Sequence, residues 1–408
     1  MANQFDKIAS DITFFGTLVL AQLRQQLALV NRVNTDYKGA SSAAGRKISI
    51  PVVEMSGSAQ TRGIGGGVTR NSGKATAVEV VMQQITYSWE LDNLEETFSN
   101  VNTVLEMAQR AAIKMADGVD ALLTGLWPLI PYRVGPLDGS GLFNPTDKVK
   151  AFAQARKALK DNLAPTDRLF MILGTTEELN LTTLDIYTQA QQSGDPTQLR
   201  TGALKPIMGV QPYASQAVPT NITFTPADNT GWNTPTTSGV NAIGATTLNV
   251  AGLANGATIT KGSIFTIAGG GTMPNGQPQP YSVTADVVAS GGGAAALPIS
   301  PALKAAPANG ATITPVAYTG THSINLIADP SAYLFVVRPQ AAVPPGAGVL
   351  QMDFTDPVSQ LTFRLSIEAN IARDNAAGRA YTTVWTLDLL AGANIVRPEL
   401  AVRAEGEA

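Results

Sequence analysis

Between Asn221 and Gly320 the chain almost stops using charge: Asp228, Lys261, Asp286 and Lys304 are the only ionised side chains of the segment. Gly, Ala, Thr, Asn and Pro dominate it, and short alternating runs recur, among them TTLNV, ATITKGSIFTIAG, YSVTADVVA and ATITPVAY. Short strands at regular spacing, separated by turn residues, predict an all-β module, a small barrel or sandwich. More usual strand chemistry resumes beyond it in NLIAD, YLFVVRP, LTFRLSIEA and YTTVWTLDLLAGANIVRPELAV. The module therefore reads as an insertion at 221–320 into a host domain that continues on both sides, as surface loops with neighbouring chain ends allow.

Upstream, Phe5, Ile8, Phe15, Leu18, Leu23, Leu27 and Val30 recur at helical steps and predict a helix over 4–31. The turn-rich VNTDYKGASSAAGRK follows. Residues 47–54 (KISIPVVE) predict a strand that Pro51 confines to an edge or a bulge, and 76–89 (TAVEVVMQQITYSW) predict a second. Nearly twenty residues without apolar periodicity, SGSAQTRGIGGGVTRNSGK, join the two, where a hairpin loop ordinarily needs about two to five. A two-stranded arm of this kind buries no core of its own and suits a place on another molecule. Asp92 with Glu95 three residues on makes a capping-box pattern. Leu94, Phe98, Val101, Leu105, Ala108, Ala112, Met115, Val119 and Leu122 then predict a helix of about thirty residues, a rod of roughly 45 Å. After a Pro/Gly-rich break, 146–162 predict an amphipathic helix, Arg168–Leu173 a buried strand, Thr175–Leu184 a helix, and 205–219 strand and turn near a domain boundary.

A chain of 408 residues has room for two or three domains, and a net charge of −3 gives no basic field for holding nucleic acid. With no cysteine and with His322 as the only histidine, disulfides, thiolate zinc sites and multi-histidine metal centres are excluded within one chain. The start MANQFDKIASD lacks a secretory pattern, and the apolar stretch from Ile12 to Leu23 is too short to span a bilayer. GGGVTRNSGKAT approaches a phosphate-binding loop, but Val68 and Ala75 stand where Gly and Ser or Thr are required, and a strand follows rather than a helix. Gly63, Gly65, Gly66 and Gly67 fail the dinucleotide fingerprint at Val68, and no G-x-S-x-G elbow occurs. Asp353, Asp356, Glu368 and Asp374 read as solvated or interface charges, His322 as a surface or linker residue at the module's exit, and Trp89 and Trp385 as core. No catalytic residue, cofactor or metal is expected. Arg62, Arg70 and Lys74 serve either as solubilising charges or as partners of carboxylates on a neighbouring subunit. A secreted or surface protein with an adhesive β-module is the competing class, disfavoured by the absent signal, and a nucleotide-dependent enzyme stands third.

The order of elements resembles the tailed-bacteriophage major capsid proteins of the Hong Kong 97-type fold. Within them it is most similar to the Salmonella podophage coat-protein group, whose fold carries an inserted β-barrel. The resemblance rests on ISIPVVE with the strand ending at Trp89, on Asp92–Gly125 as the spine helix, on GATTLNVAGLANGATITKGSIFTIAGG in the insert, and on Gly392-Ala393-Asn394-Ile395-Val396-Arg397-Pro398-Glu399 as the closing run. It implies an α+β fold divided into an N-terminal helical arm (1–45), an extended hairpin loop (46–90), a peripheral domain with the spine helix (91–145), a first axial segment (146–220), the inserted barrel (221–320) and axial and peripheral return strands (321–408). It further implies hexamers and pentamers in an icosahedral shell, with Arg62, Arg70, Lys74, Glu95 and Glu96 as inter-subunit contact candidates. Scaffolding protein, portal protein and a decoration protein are the implied partners, packaged DNA is touched only weakly, and no membrane is involved. The implied location is the virion, assembled in the host bacterial cytoplasm. The insert's lack of charge departs from relatives whose insert loops carry salt bridges.

Overall fold

The computed structural model describes residues 16–24, 26–35, 46–55, 73–92, 101–144, 149–185, 202, 204–341, 344, 349–356, 361–371 and 381–408. They form an α+β chain that divides into two compact units. One holds Met1–Gln25, Thr35–Met115 and Leu334–Val396; the other holds Gln26–Asn34, Ala116–Tyr333 and Arg397–Ala408. The return segment 321–408 is thus shared between them.

In the first unit, β1 (Lys47–Met55) and β2 (Gly73–Val81) pair antiparallel from Lys47 opposite Val81 to Met55 opposite Gly73, as a sheet of two strands. Alternation sets their faces: Ile48, Ile50, Val52 and Val80 are buried, while Lys47, Ser49, Pro51, Ala77 and Glu79 are exposed. The single strand expected over 76–89 is two strands. The chain breaks at buried Met82, whose N–H donates to the Arg46 carbonyl, and β3 (Gln83–Asp92) leaves the arm to join another sheet. Numbered in chain order, that sheet runs β17 (Tyr333–Arg338), β20 (Tyr381–Ile395), β19 (Thr362–Ile371) and β18 (Val349–Thr355), with β3 also paired to β20. Trp385 lies opposite Trp89 in that pairing, and their rings stack at 6.1 Å.

The long helix spans Val101–Thr124, 24 residues and roughly 36 Å. Its stripe of Ala108, Ala111, Ala112, Met115, Val119 and Leu123 is buried, with Leu123 rather than the expected Leu122 at its end. Asp92 closes β3 instead of opening the helix within the described residues, and Glu95 lies outside them. Residues 16–24 are helical, but the helix expected over 4–31 does not reach its end: Ala28 and Leu29 bend, and a 3-10 turn occupies Val30–Arg32. The cause is capture. The N–H groups of Ala28 and Leu29 donate to the Asp120 carboxylate at 3.2 and 3.3 Å rather than to carbonyls of their own helix.

The second unit is built on a sheet of β4 (Arg133–Val134), β21 (Ala401–Glu407), β16 (Thr321–Ala328), β5 (Leu169–Leu173) and β6 (Val210–Ala214). Every residue of β5 is buried, as its continuous apolar run requires. The helix Lys150–Asp161 buries Phe152, Ala155 and Leu159, and Thr175–Thr182 forms a short second helix. Between residues 221 and 320 the described elements are strands. The main sheet there runs β15 (Ile313–Pro315), β11 (Ile264–Ile267), β12 (Pro280–Val283), β14 (Ala295–Ser300), β9 (Thr247–Ala251) and β8 (Thr236–Thr237). A bridge between Thr236 and Thr312 closes this sheet on itself, while β10 (Thr258–Ile259) and β13 (Val287–Val288) pair apart. Trp232, Leu248, Phe265, Tyr281, Leu297 and Ile313 fill its core. The module's entry, β7 (Ile222–Thr223), pairs with its exit, Thr321 and His322 of β16, so the two chain crossings are zipped together on the host sheet.

Candidate functional site

The arm β1–β2 is seated through one face. Ile48, Ile50, Val80 and Met82 pack with Leu334 and Val336 in a local core, with Leu390 and Val396 against it. The closing run of the sequence performs the seating. Gly392 passes so close over the arm that a Cβ there would lie 2.7 Å from a Val80 methyl and 2.9 Å from the Val81 carbonyl oxygen, closer than packed atoms approach. Two residues on, the Asn394 side chain donates from Nδ2 to the Glu79 carbonyl at 2.8 Å and accepts the Ile395 N–H at 2.8 Å. The motif's glycine and asparagine thus hold the arm's second strand, a role that needed the fold to be seen. Around this junction Arg46, Met82, Gln83, Gln84, Arg338 and Leu390 line an open groove of about 560 Å³.

Of the expected contact residues, Lys74 lies in β2 opposite Glu54, and Arg62, Arg70, Glu95 and Glu96 lie outside the described residues. Among the described residues, the arm carries an exposed ion pair, Lys47–Glu79, at 2.7 Å. In the adjoining sheet Arg364 grips Asp353 through Nε at 2.7 Å and Nη2 at 2.9 Å, and it also donates to the carbonyls of Gln340 and Ala341. The Asp353 hydrogen bond holds the Arg364 guanidinium above its ordinary pKa. Asp356, expected to be a solvated or interface charge, is buried within the chain and paired with Arg24; Glu368 is exposed, and Asp374 lies outside the described residues.

A second polar centre sits where the inserted module meets its host sheet. Arg403 and Glu405, successive same-face residues of β21, are both fully buried. Glu405 takes Arg133 Nε at 2.7 Å and the Tyr318 hydroxyl at 3.2 Å, with Arg403 at 3.8 Å. Burial, with Glu405 adding to it, pushes the Tyr318 phenol far above its usual range. Arg403 donates across the seam to the Gly262 carbonyl at 2.8 Å and lies over the Trp127 ring. Gly262, at φ +83°, approaches Trp127 so closely that a Cβ would fall 1.9 Å from the ring, which demands glycine twice over. His322 belongs to this centre. It is not the surface residue its place at the module's exit suggested: it is 0% exposed, packed against Phe224 and Tyr318 at 5.6 and 5.5 Å between ring centroids.

Among the described residues, no cluster of His, Asp or Glu could hold a metal ion, and no helix is long and apolar enough to cross a membrane. No family model matches the chain, and no curated protein matches it. Solved structures do. One of Mycobacterium phage Che8 covers 93% of this chain and 91% of its own, at 13% identity and a TM-score of 0.49. The capsid of the cyanophage P-SCSP1u covers 93% and 87%, at 11% identity and a TM-score of 0.46. A virus-like particle from Pyrococcus furiosus covers 95% and 96%, at 8% identity and a TM-score of 0.39. The structures that this chain is similar to thus include a phage capsid and a virus-like particle.

Proposed function

We propose that the chain is the major capsid protein of a tailed phage, a subunit of the Hong Kong 97-type fold that assembles through hexamers and pentamers into the icosahedral head around double-stranded DNA. The solved structures named above align at TM-scores below 0.5, so the proposal rests on the chain's own elements and on the sequence resemblance. The observation that carries it is the arm: among the described residues, β1 and β2 form a sheet of two strands that pair only with each other. A two-stranded sheet is marginal by itself in water and gains stability by lying on another molecule. The order of arm, long helix, α/β sheet, inserted barrel and returning strands is the order on which the resemblance rests.

In this proposal Arg62, Arg70 and Lys74 of one arm meet carboxylates of the next subunit, with Glu95 and Glu96 as candidates, in a head-to-tail contact repeated around closed rings. Each contact is modest, and the shell gains from making many at once. The net charge of −3 suits a container that releases its DNA, and catalysis plays no part. Scaffolding, portal and decoration proteins are the proposed partners, and the virion the proposed location. Deleting residues 57–73 tests this. The truncated chain is expected to stay a soluble, folded monomer when expressed with a phage scaffolding protein, while the full chain forms shells hundreds of ångströms across (about 10² Å) by electron microscopy. Normal shells from the truncated chain would overturn the arm's role.

A further inference from the structure

We propose that the neck of the inserted module is an acid-sensitive clamp: charging the His322 imidazole unzips Ile222–Thr223 from Thr321–His322 and loosens the module from its host sheet. At the neck the entry and exit strands pair, and His322 is central to it. Its backbone pairs with Ile222 on one side and Glu407 on the other. Its ring is sealed from water, and neither nitrogen has a hydrogen-bond partner among the described residues. The neutral imidazole is used as an aromatic wedge beside Phe224, which itself stacks on Tyr318 at 4.2 Å.

The charged groups around the ring decide what a proton does there. Glu405 on β21 favours the imidazolium but is already engaged by Arg133, Tyr318 and Arg403. Arg133 on β4 opposes it directly. Asp138, in the loop after β4, favours it weakly; that carboxylate is exposed and bonded to Ser140. The Thr319 backbone, at the exit, favours it slightly. Glu407 lies one register position away, its side chain bonded to Asn180. Burial outweighs these attractions, so the imidazole's pKa is held below its ordinary value. The sign follows. An open neck returns His322 to water, where it titrates near pH 6.5, whereas the closed neck binds the proton less readily. The closed form is therefore favoured fully above about pH 6.5, and its advantage falls roughly tenfold per pH unit below that until the closed neck itself takes the proton.

Because the chain has a single histidine, its imidazole gives one unambiguous NMR signal in the full-length protein. The expected result is a midpoint below about 6.5. As pH falls from about 6.5, a rise in hydrogen exchange at residues 222–224 and 318–323 is expected before that midpoint is reached, at most about fivefold by pH 5.5 after correction for intrinsic exchange. His322→Phe keeps the wedge without the charge and should leave neck exchange flat in pH; His322→Gln serves the same purpose if the phenylalanine variant does not fold. An imidazole midpoint at or above the ordinary value, or an equal rise in neck exchange in the variant, would overturn the clamp.

Discussion

Single side chains set the registry between distant parts of this chain, and Asp120 shows how. Its carboxylate, on the long helix, receives the N–H groups of Ala28 and Leu29 and the Ser215 hydroxyl at 3.3 Å, tying the N-terminal segment and the turn after β6 to one point. Arg32 adds to the tie, donating to the Ala28 carbonyl at 2.6 Å and stacking over Tyr213. Burial raises the Asp120 pKa from 3.8 to about 6, more than the three hydrogen bonds lower it. A folded-state pKa above the unfolded one means that the proton stabilises the fold. That contribution is complete below about pH 4 and is lost as pH rises through about 6, amounting to about 3 kcal/mol over some two units. Asp120→Asn removes the titration at the cost of one acceptor, about 1 kcal/mol. Denaturant titrations at about pH 4 and pH 7.5 should show the parent losing up to about 3 kcal/mol more than the variant between the two. Equal losses would mean that Asp120 does not titrate in this range. His322 has the opposite sign, so the two residues are separable by direction alone.

Elements that follow local rules were legible in the sequence, and those bent by distant contacts were not. Ile48, Ile50 and Val52 alternate as a strand with one buried face should, and β5 is buried throughout as an unbroken apolar run should be. The break at Met82 has no local signal, because TAVEVVMQQITYSW is uniformly strand-like. It arises where the chain changes partners from β1 to β20. The early end of the N-terminal helix likewise depends on Asp120, some ninety residues on, and the burial of His322 depends on Phe224 and on β21, which no neighbouring residue announces. The arm's anchor was half visible: the closing run stood out as a motif, but the contact of Gly392 and Asn394 with β2 is tertiary. The strand-rich character of 221–320 was legible because composition changes at its borders, and its core cluster is its own. The cluster around Trp232, Phe265 and Tyr281 uses only residues of the insert, and Phe224 and Tyr318 stack where the chain enters and leaves. A fragment spanning 221–320 is accordingly expected to fold alone, with dispersed amide NMR signals and a cooperative melt. Random-coil shifts would show that Arg403 and Trp127, across the seam, are needed to form the module and not merely to seat it.

At the scale of the whole molecule, the chain spends its charge unevenly, and that unevenness makes the assembly proposal testable beyond the loss of an arm. Residues 56–74 contain Arg62, Arg70 and Lys74 and no acidic residue, whereas Glu90, Asp92, Glu95 and Glu96 crowd the passage from β3 toward the long helix with no basic one among them. Opposed fields of this kind fix register and speed docking more than they add affinity, and salt screens them within about 10 Å at 0.1 M. Reversing the arm's charges with Arg62→Glu, Arg70→Glu and Lys74→Glu should therefore stop shell formation at low salt while leaving the monomer's melting temperature unchanged. Adding Glu95→Lys and Glu96→Lys to the same chain restores complementarity between neighbours and should recover shells, measured as the sedimenting fraction and checked by electron microscopy. Recovery distinguishes pairing between those two patches from a general need for positive charge on residues 56–74, since the variant with all five substitutions has no basic residue left in that stretch. If the triple variant assembles normally, the charges only keep the arm soluble. If it fails and the second pair does not rescue it, the arm's partner lies elsewhere on the neighbour.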